Sequence, residues 1–161
     1  MPLTRLTASG SLHAVSATRL AIVFSLVAGL AGAAQAAIAG ALGRRVGTVQ
    51  AAGFGTAIAA ILLVTLALSL GRGGGIVAAI HEPPWLWLTG VLGAIIVLAI
   101  AFAPPLIGTF ATVALLIAGQ LTAGVLIDAY GLLGSPRLPF TLTRATGLLL
   151  VAAGAALTLK R

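Results

Sequence analysis

The residues that could perform acid–base or metal chemistry are few. Glu82 and Asp128 are the only carboxylates in the 161-residue chain, and His13 and His81 are its only imidazoles. Cys is absent, which excludes disulfides and thiolate metal ligands. Because His13 precedes the first apolar run and His81 lies at an interface, the sequence offers no nucleophile–histidine–acid constellation. We therefore predict no enzyme, no metal site and no cofactor.

Uncharged polar residues inside apolar segments are a second candidate set. Gln35 and Gln120 each interrupt such a segment, and Thr122 lies close to Gln120. Polar groups within a membrane bundle often mark a substrate pathway, although they also cross-link helices. We expect Gln35, Gln120 and Thr122 to bind substrate, with Trp85 as a gate or interface residue. Helix cross-linking is the alternative.

Asp128 and Arg144 lie on either side of one loop, near the same end of two predicted helices. A charge pair at helix ends is usually structural, and we favour that interpretation. A desolvated and unpaired Asp128 would instead be able to carry a proton. The sequence leaves both roles open.

The composition indicates that lipid, not water, surrounds most of the chain. Hydrophobic residues make up 60% of the chain and charged residues only 7%, against roughly 25% charged in soluble domains. The net charge of +7 does not indicate nucleic acid, because the cations stand singly or in pairs beside apolar runs. Cations at those places anchor helix ends and attract anionic lipid headgroups.

Five apolar runs are each long enough to cross a bilayer of roughly 30 Å as a helix. The sequence predicts an all-α integral membrane protein that forms one transmembrane domain, 1–161. Its polar N-terminal tail is 1–18, and its helices cover about 20–42, 49–70, 85–103, 106–127 and 140–159.

Several boundary features accompany this prediction. A secretory signal is the alternative for the first run, but the run continues into Arg44 and Arg45, as a retained span does. We expect 71–75 to be a flexible connector, 76–80 an interfacial turn, and Pro104-Pro105 a tight turn between two spans. Small residues at a spacing of four, such as Gly119 and Ala123, predict helix-packing faces.

Lys and Arg are nearly balanced across the predicted membrane. One side holds five, Arg5, Arg19, Arg72, Arg137 and Arg144, and the other holds four, Arg44, Arg45, Lys160 and Arg161. Orientation follows a Lys/Arg excess on the cytoplasmic side, so this balance predicts insertion both ways round and an antiparallel homodimer. A fixed orientation, with or without a partner chain, is the alternative.

The predicted spans place the two glutamines on opposite sides of the midplane. Gln35 lies roughly 6 Å and Gln120 roughly 4–5 Å from the middle of their helices. In an antiparallel dimer, Gln35 of one chain would share a depth with Gln120 of the other, as in an inverted-repeat transporter.

Three segments resemble the YdcZ-like family of the drug/metabolite transporter superfamily. They are GAAQAAIAGALGRRVGT (32–48), PWLWLTGVLGA (84–94) and, most specifically, LLIAGQLTAGVLIDAYGLLG (115–134). Arg144, Gly147 and Gly154 in the last run extend the resemblance, which covers the chain from about residue 18.

The resemblance implies a short five-helix protein of the bacterial inner membrane that works as an antiparallel homodimer, an opposed pair or a fused ten-helix chain. Many members have an Asn shortly after the glutamine of the first helix, whereas Gln35 here is followed by Ala36 and Ala37. Taken together, we expect a small secondary transporter that moves a neutral or anionic, polar or amphipathic molecule by alternating access. A non-transporting subunit or a dual-topology channel is the alternative.

Overall fold

The structure is a computed structural model that describes the backbone of residues 4–159 and the side chains of residues 18–159. Helices dominate the described residues. They are α1 (Thr4–Val46), α2 (Thr48–Ser69), α3 (Gly73–Ala79), α4 (Leu88–Phe102), α5 (Pro104–Ile107), α6 (Thr109–Tyr130) and α7 (Leu142–Leu157), with short 3-10 turns at Pro84–Trp87 and Leu132–Gly134.

Four segments are long and apolar enough to cross a membrane: Thr18–Val46, Thr48–Ser69, Pro84–Ile107 and Thr109–Tyr130. The predicted all-α membrane class is therefore confirmed, and four of the five expected spans reach full length. The fifth, α7, has 16 residues and is about 24 Å long.

The chain divides into two compact units, Met1–Ala34 and Gln35–Arg161. In the first unit the described side chains belong to α1, and large apolar residues such as Leu20, Phe24 and Leu30 are exposed. The Ser25 hydroxyl donates to the Ala21 carbonyl at 2.7 Å, so its polarity is satisfied within the helix. This surface suits contact with lipid.

The core of the second unit consists mainly of alanines. Ala51 and Ala52 of α2 pack with Ala101 of α4, and Ala39, Leu42 and Val97 lie against this cluster. Small side chains allow helix backbones to approach closely, which is how helices associate where lipid removes the hydrophobic driving force. The apolar faces around this cluster remain exposed.

The double proline does not form the predicted turn. Pro104 begins α5, where a proline needs no backbone N–H partner. A Cβ added at Gly40 would lie 2.9 Å from the Pro104 Cβ, so this glycine allows α1 to approach the prolines. The connection to α6 is instead Gly108, whose φ of 84° is readily adopted only by glycine.

Other predicted boundaries also differ. The backbone of α1 is already helical from Thr4, within the predicted polar tail. Part of the expected connector 71–75, and most of the expected turn 76–80, form the helix α3. The Trp87 indole N–H donates to the carbonyl of Ala79 at 3.2 Å, linking the turn before α4 to α3. The side chains of Arg5, His13, Lys160 and Arg161 lie outside the described residues.

Candidate substrate grooves on α6

Two grooves flank α6, and their volumes of about 440 Å³ and 430 Å³ fall within the roughly 300–1,000 Å³ of ligand pockets. We call the first the uncharged groove; α4, α5 and α6 line it with Ile96, Ala99, Ala103, Ile107, Thr112, Leu115, Leu116, Gly119, Gln120 and Ala123. We call the second the charged groove; α6 and α7 line it with Gln120, Leu121, Gly124, Val125, Asp128, Arg144, Gly147, Leu148 and Val151.

Gln120 lines both grooves. Helical spacing explains this, because residues three and four apart share a face. Gly119 and Ala123 turn toward the uncharged groove, while Gly124 and Asp128 turn toward the charged one. Gln120 lies at the border between the two faces.

Two glycines, one in each groove, leave space beside α6. A Cβ added at Gly119 or at Gly124 would meet no neighbouring atom within 4 Å. In the single chain, Gly119 therefore does not pack against another helix, contrary to the prediction for the Gly119–Ala123 face. Both glycines lie on the floor of a groove.

The uncharged groove has little free hydrogen-bonding capacity. The Thr112 hydroxyl is part of its lining, but it donates to the carbonyl of Gly108 at 2.8 Å. The side-chain amide of Gln120 is then the polar group that this groove can offer to a ligand. Its remaining walls are aliphatic.

The charged groove ends at an ion pair. Arg144 Nη1 lies 3.4 Å from Asp128 Oδ2, with the two side chains 36% and 32% exposed. The Ser135 hydroxyl donates to the other oxygen, Asp128 Oδ1, at 3.0 Å. Both carboxylate oxygens of Asp128 thus have a partner.

The loop between α6 and α7 positions this pair. Gly131 ends α6 in the left-handed conformation, with φ 65° and ψ 37°, a common way for a helix to stop. The Leu138 N–H then donates to the Asp128 carbonyl at 2.8 Å. Thr141 caps α7 by accepting from the Arg144 N–H at 3.3 Å. These bonds bring the start of α7 to the end of α6.

Arg144 keeps unused donors. A guanidinium carries five N–H groups, and the hydrogen bond that Arg144 makes to the described residues through its side chain is the long one to Asp128. A bidentate pair would be shorter and would occupy two donors. Arg144 can therefore bind a further acceptor within the groove.

The structure does not bring the four predicted binding residues together within one chain. Gln35 is exposed on α1, and Trp85 is exposed in the turn before α4; neither lines either groove. The Thr122 hydroxyl donates to the Ala118 carbonyl at 2.8 Å and also lies outside both grooves. The charged groove instead contains Gln120 together with Asp128 and Arg144.

The depth assigned to Gln120 also changes. Because α6 covers Thr109–Tyr130 rather than 106–127, Gln120 lies at the middle of the helix. Relative to the middle of the helix, the predicted displacement is therefore absent, and the depth match with Gln35 loses its basis. A central position is where a substrate site between two membrane faces is expected.

The comparisons with known proteins agree with a membrane exporter. A family model described as "Putative inner membrane exporter, YdcZ" matches residues 20–157, which include most of α1 and all of α2 to α7. No curated protein and no solved structure matches the chain.

Proposed function

Because the chain belongs to the YdcZ family of inner-membrane exporters, we propose that it exports a small polar or amphipathic molecule by alternating access, as an antiparallel homodimer. The chain is a multi-pass inner-membrane protein, and placement in the drug/metabolite transporter superfamily is consistent with its family. The family is one of exporters and not of enzymes.

The position of Gln120 carries the proposal. An amide at the middle of a membrane-spanning helix would be costly to leave without a partner in lipid, yet it borders two open grooves. A substrate that enters either groove would meet it. This is the arrangement expected of a site that is reached from one side of the membrane and then from the other.

We include α7 as the fifth span. It packs against α6, and its residues Arg144 to Val151 line the charged groove opposite Asp128 to Gln120. Ala155, one turn further, is only 3% exposed. This continuous packing beside a full-length span supports a transmembrane position in spite of its length, since short spans are accommodated at modest cost.

The near balance of cations, five against four, supports the dual orientation and hence the antiparallel dimer. Reporter fusions to the C-terminus test it, and we expect activity on both sides of the membrane. Replacing Gly74 and Gly75, where a Cβ would meet no atom within 4 Å, by Lys should fix one orientation. One-sided activity of the unmodified chain would refute the dual orientation.

Transport is tested in proteoliposomes loaded with anionic, neutral and cationic alkyl compounds, with efflux followed by mass spectrometry. We expect saturable efflux of at least one compound. Gln120→Ala should slow it by about tenfold, since an unmade hydrogen bond costs roughly 1–3 kcal/mol. Gln50→Ala is the matched control, because Gln50 is an exposed glutamine of α2 that lines neither groove.

The same experiment separates the rival functions. No efflux of any compound would identify a non-transporting subunit. Efflux that does not saturate, at rates far above those of a conformational cycle, would identify a channel. Equal rates for Gln120→Ala and Gln50→Ala would remove Gln120 from the site.

A further inference from the structure

We propose that the charged groove binds an amphipathic anion, with the head group on the Arg144 guanidinium and the apolar chain extending along α6 and α7 toward Gln120. The inference rests on the proposed function in one respect, namely that this molecule represents the exported class. The binding itself depends only on the residues of the charged groove.

The head-group position follows from the hydrogen bonds. Each oxygen of Asp128 has one partner, Ser135 at 3.0 Å and Arg144 at 3.4 Å. Arg144 uses one donor on Asp128 and retains others. Arg144 thus keeps more free N–H donors than Asp128 keeps free lone pairs, and this surplus of positively charged donors suits a carboxylate or a phosphate.

The local charge points the same way. Arg137 lies in the loop beside the pair, with its Nε donating to the Ala129 carbonyl at 3.3 Å. Asp128, Arg137 and Arg144 together carry one positive charge in excess. A cationic head group at Asp128 would lie beside Arg144 and be repelled by it, whereas an anionic one can add to Arg144 without breaking either contact of Asp128.

The apolar chain has a defined path. Eight residues separate Asp128 from Gln120, which is about 12 Å along a helix, and the groove between them is lined by Leu121, Val125, Leu148 and Val151. Gly124 and Gly147 leave the floor open, since a Cβ at either would meet no atom within 4 Å. An alkyl chain of medium length fits this interval.

Asp128 limits how tightly the anion binds. Its carboxylate need not leave Arg144 when the anion binds, but it repels the anion and partly neutralises the same guanidinium. Loss of the ion-pair partner of Arg144 should therefore strengthen anion binding. Asp128→Asn removes this negative charge and should tighten anion binding, whereas a groove that binds no anion would give no such gain.

The test is direct binding of radiolabelled octanoate to the full chain in nanodiscs of phosphatidylcholine, with octylammonium and octanol as competitors. We expect saturable octanoate binding that octylammonium does not displace. Arg144→Gln should weaken it by about tenfold or more, as expected for a hydrogen bond to a charged group. Asp128→Asn should tighten it by about threefold or more.

Arg144→Lys controls for folding, because it keeps the charge beside Asp128 and loses the planar fork. We expect a folded protein with octanoate affinity between those of the unmodified chain and Arg144→Gln. Displacement of octanoate by octylammonium, or unchanged affinity in both Arg144→Gln and Asp128→Asn, would overturn the proposal.

A second set of nanodiscs identifies the source of the anion. If phosphatidylglycerol competes with octanoate, the groove takes an anionic lipid head group; if it does not, the groove takes a soluble amphipathic anion. Octanoate binding without any efflux in proteoliposomes would refute the proposed function and keep this inference. Efflux of other compounds without octanoate binding would support the proposed function and refute this inference.

Discussion

The two grooves of α6 have nearly equal volumes, share Gln120 and each have a glycine floor, yet they differ in chemistry. The uncharged groove includes Ile107 of α5 in its lining and offers a ligand little beyond an amide. The charged groove ends at Asp128, which hydrogen bonds hold to Arg144 and to Ser135 of the following loop. One helix thus provides two similar spaces, and only the second is lined by charged side chains.

The largest expected effect comes from filling one groove at a time. Gly124→Leu places a side chain in the charged groove and Gly119→Leu places one in the uncharged groove. Neither should disturb the helix, since a Cβ at each position meets open space. We expect Gly124→Leu to reduce octanoate binding by about tenfold or more, as for overpacking of 1–3 kcal/mol, while Gly119→Leu binds normally.

Equilibrium binding in nanodiscs checks this pair, with thermal unfolding of both variants as the control for folding. The opposite pattern would assign the anion to the uncharged groove. Equal losses in both variants would mean that the two grooves form one site.

A smaller effect is expected at the loop that ends the charged groove. Gly131→Ala forces a side chain into the left-handed conformation at φ 65° and puts its Cβ 3.3 Å from that of Arg137. The conformational strain alone is about 1–2 kcal/mol. We expect a lower unfolding temperature in detergent and weaker octanoate binding, because Leu138 and Ser135 would move relative to Asp128.

Gly134→Ala is the matched control for strain, because Gly134 has φ 80° but no atom within 4 Å of the added Cβ. It should destabilise the fold less than Gly131→Ala and leave binding nearly unchanged. If the two variants lose binding equally, the contacts around Gly131 do not position the ion pair.

The smallest expected effect is that of Ser135→Ala. It removes the hydrogen bond to Asp128 Oδ1, worth about 0.5–1.5 kcal/mol. With one hydrogen bond fewer, Asp128 should interact more strongly with Arg144. Octanoate binding should weaken by about two- to threefold. The same substitution in an Asp128→Asn background should have less effect on octanoate binding, and full additivity would contradict the coupling.

Part of this arrangement is readable from the sequence. Apolar runs and the cations that flank them predict the membrane class. Asp128 and Arg144 lie near the ends of two spans joined by one loop, which predicts that they lie near the same membrane surface. The grooves could not be predicted, because they depend on which faces of α6 its neighbours leave open. Gly119 and Gly124 look alike in the sequence, and only the paths of α4, α5 and α7 assign them to different grooves.

The helix boundaries show the same limit. Pro104-Pro105 is a strong signal for a break, but proline is also suited to the first turn of a helix, and Gly108 provides the change of direction. That shift moved α6 along the chain and placed Gln120 at its middle. Local signals identify that a helix ends, while packing, as of Gly40 against Pro104, decides where.

The most direct test of which groove binds the anion uses the absence of Cys from the chain. Any single cysteine introduced is then the only thiol that a maleimide can label. Gly124→Cys and Gly119→Cys are labelled in nanodiscs with a small water-soluble maleimide, with and without octanoate. We expect octanoate to protect Gly124→Cys and to leave the labelling of Gly119→Cys unchanged. Protection of Gly119→Cys alone, or of neither, would contradict the assignment of the substrate to the charged groove.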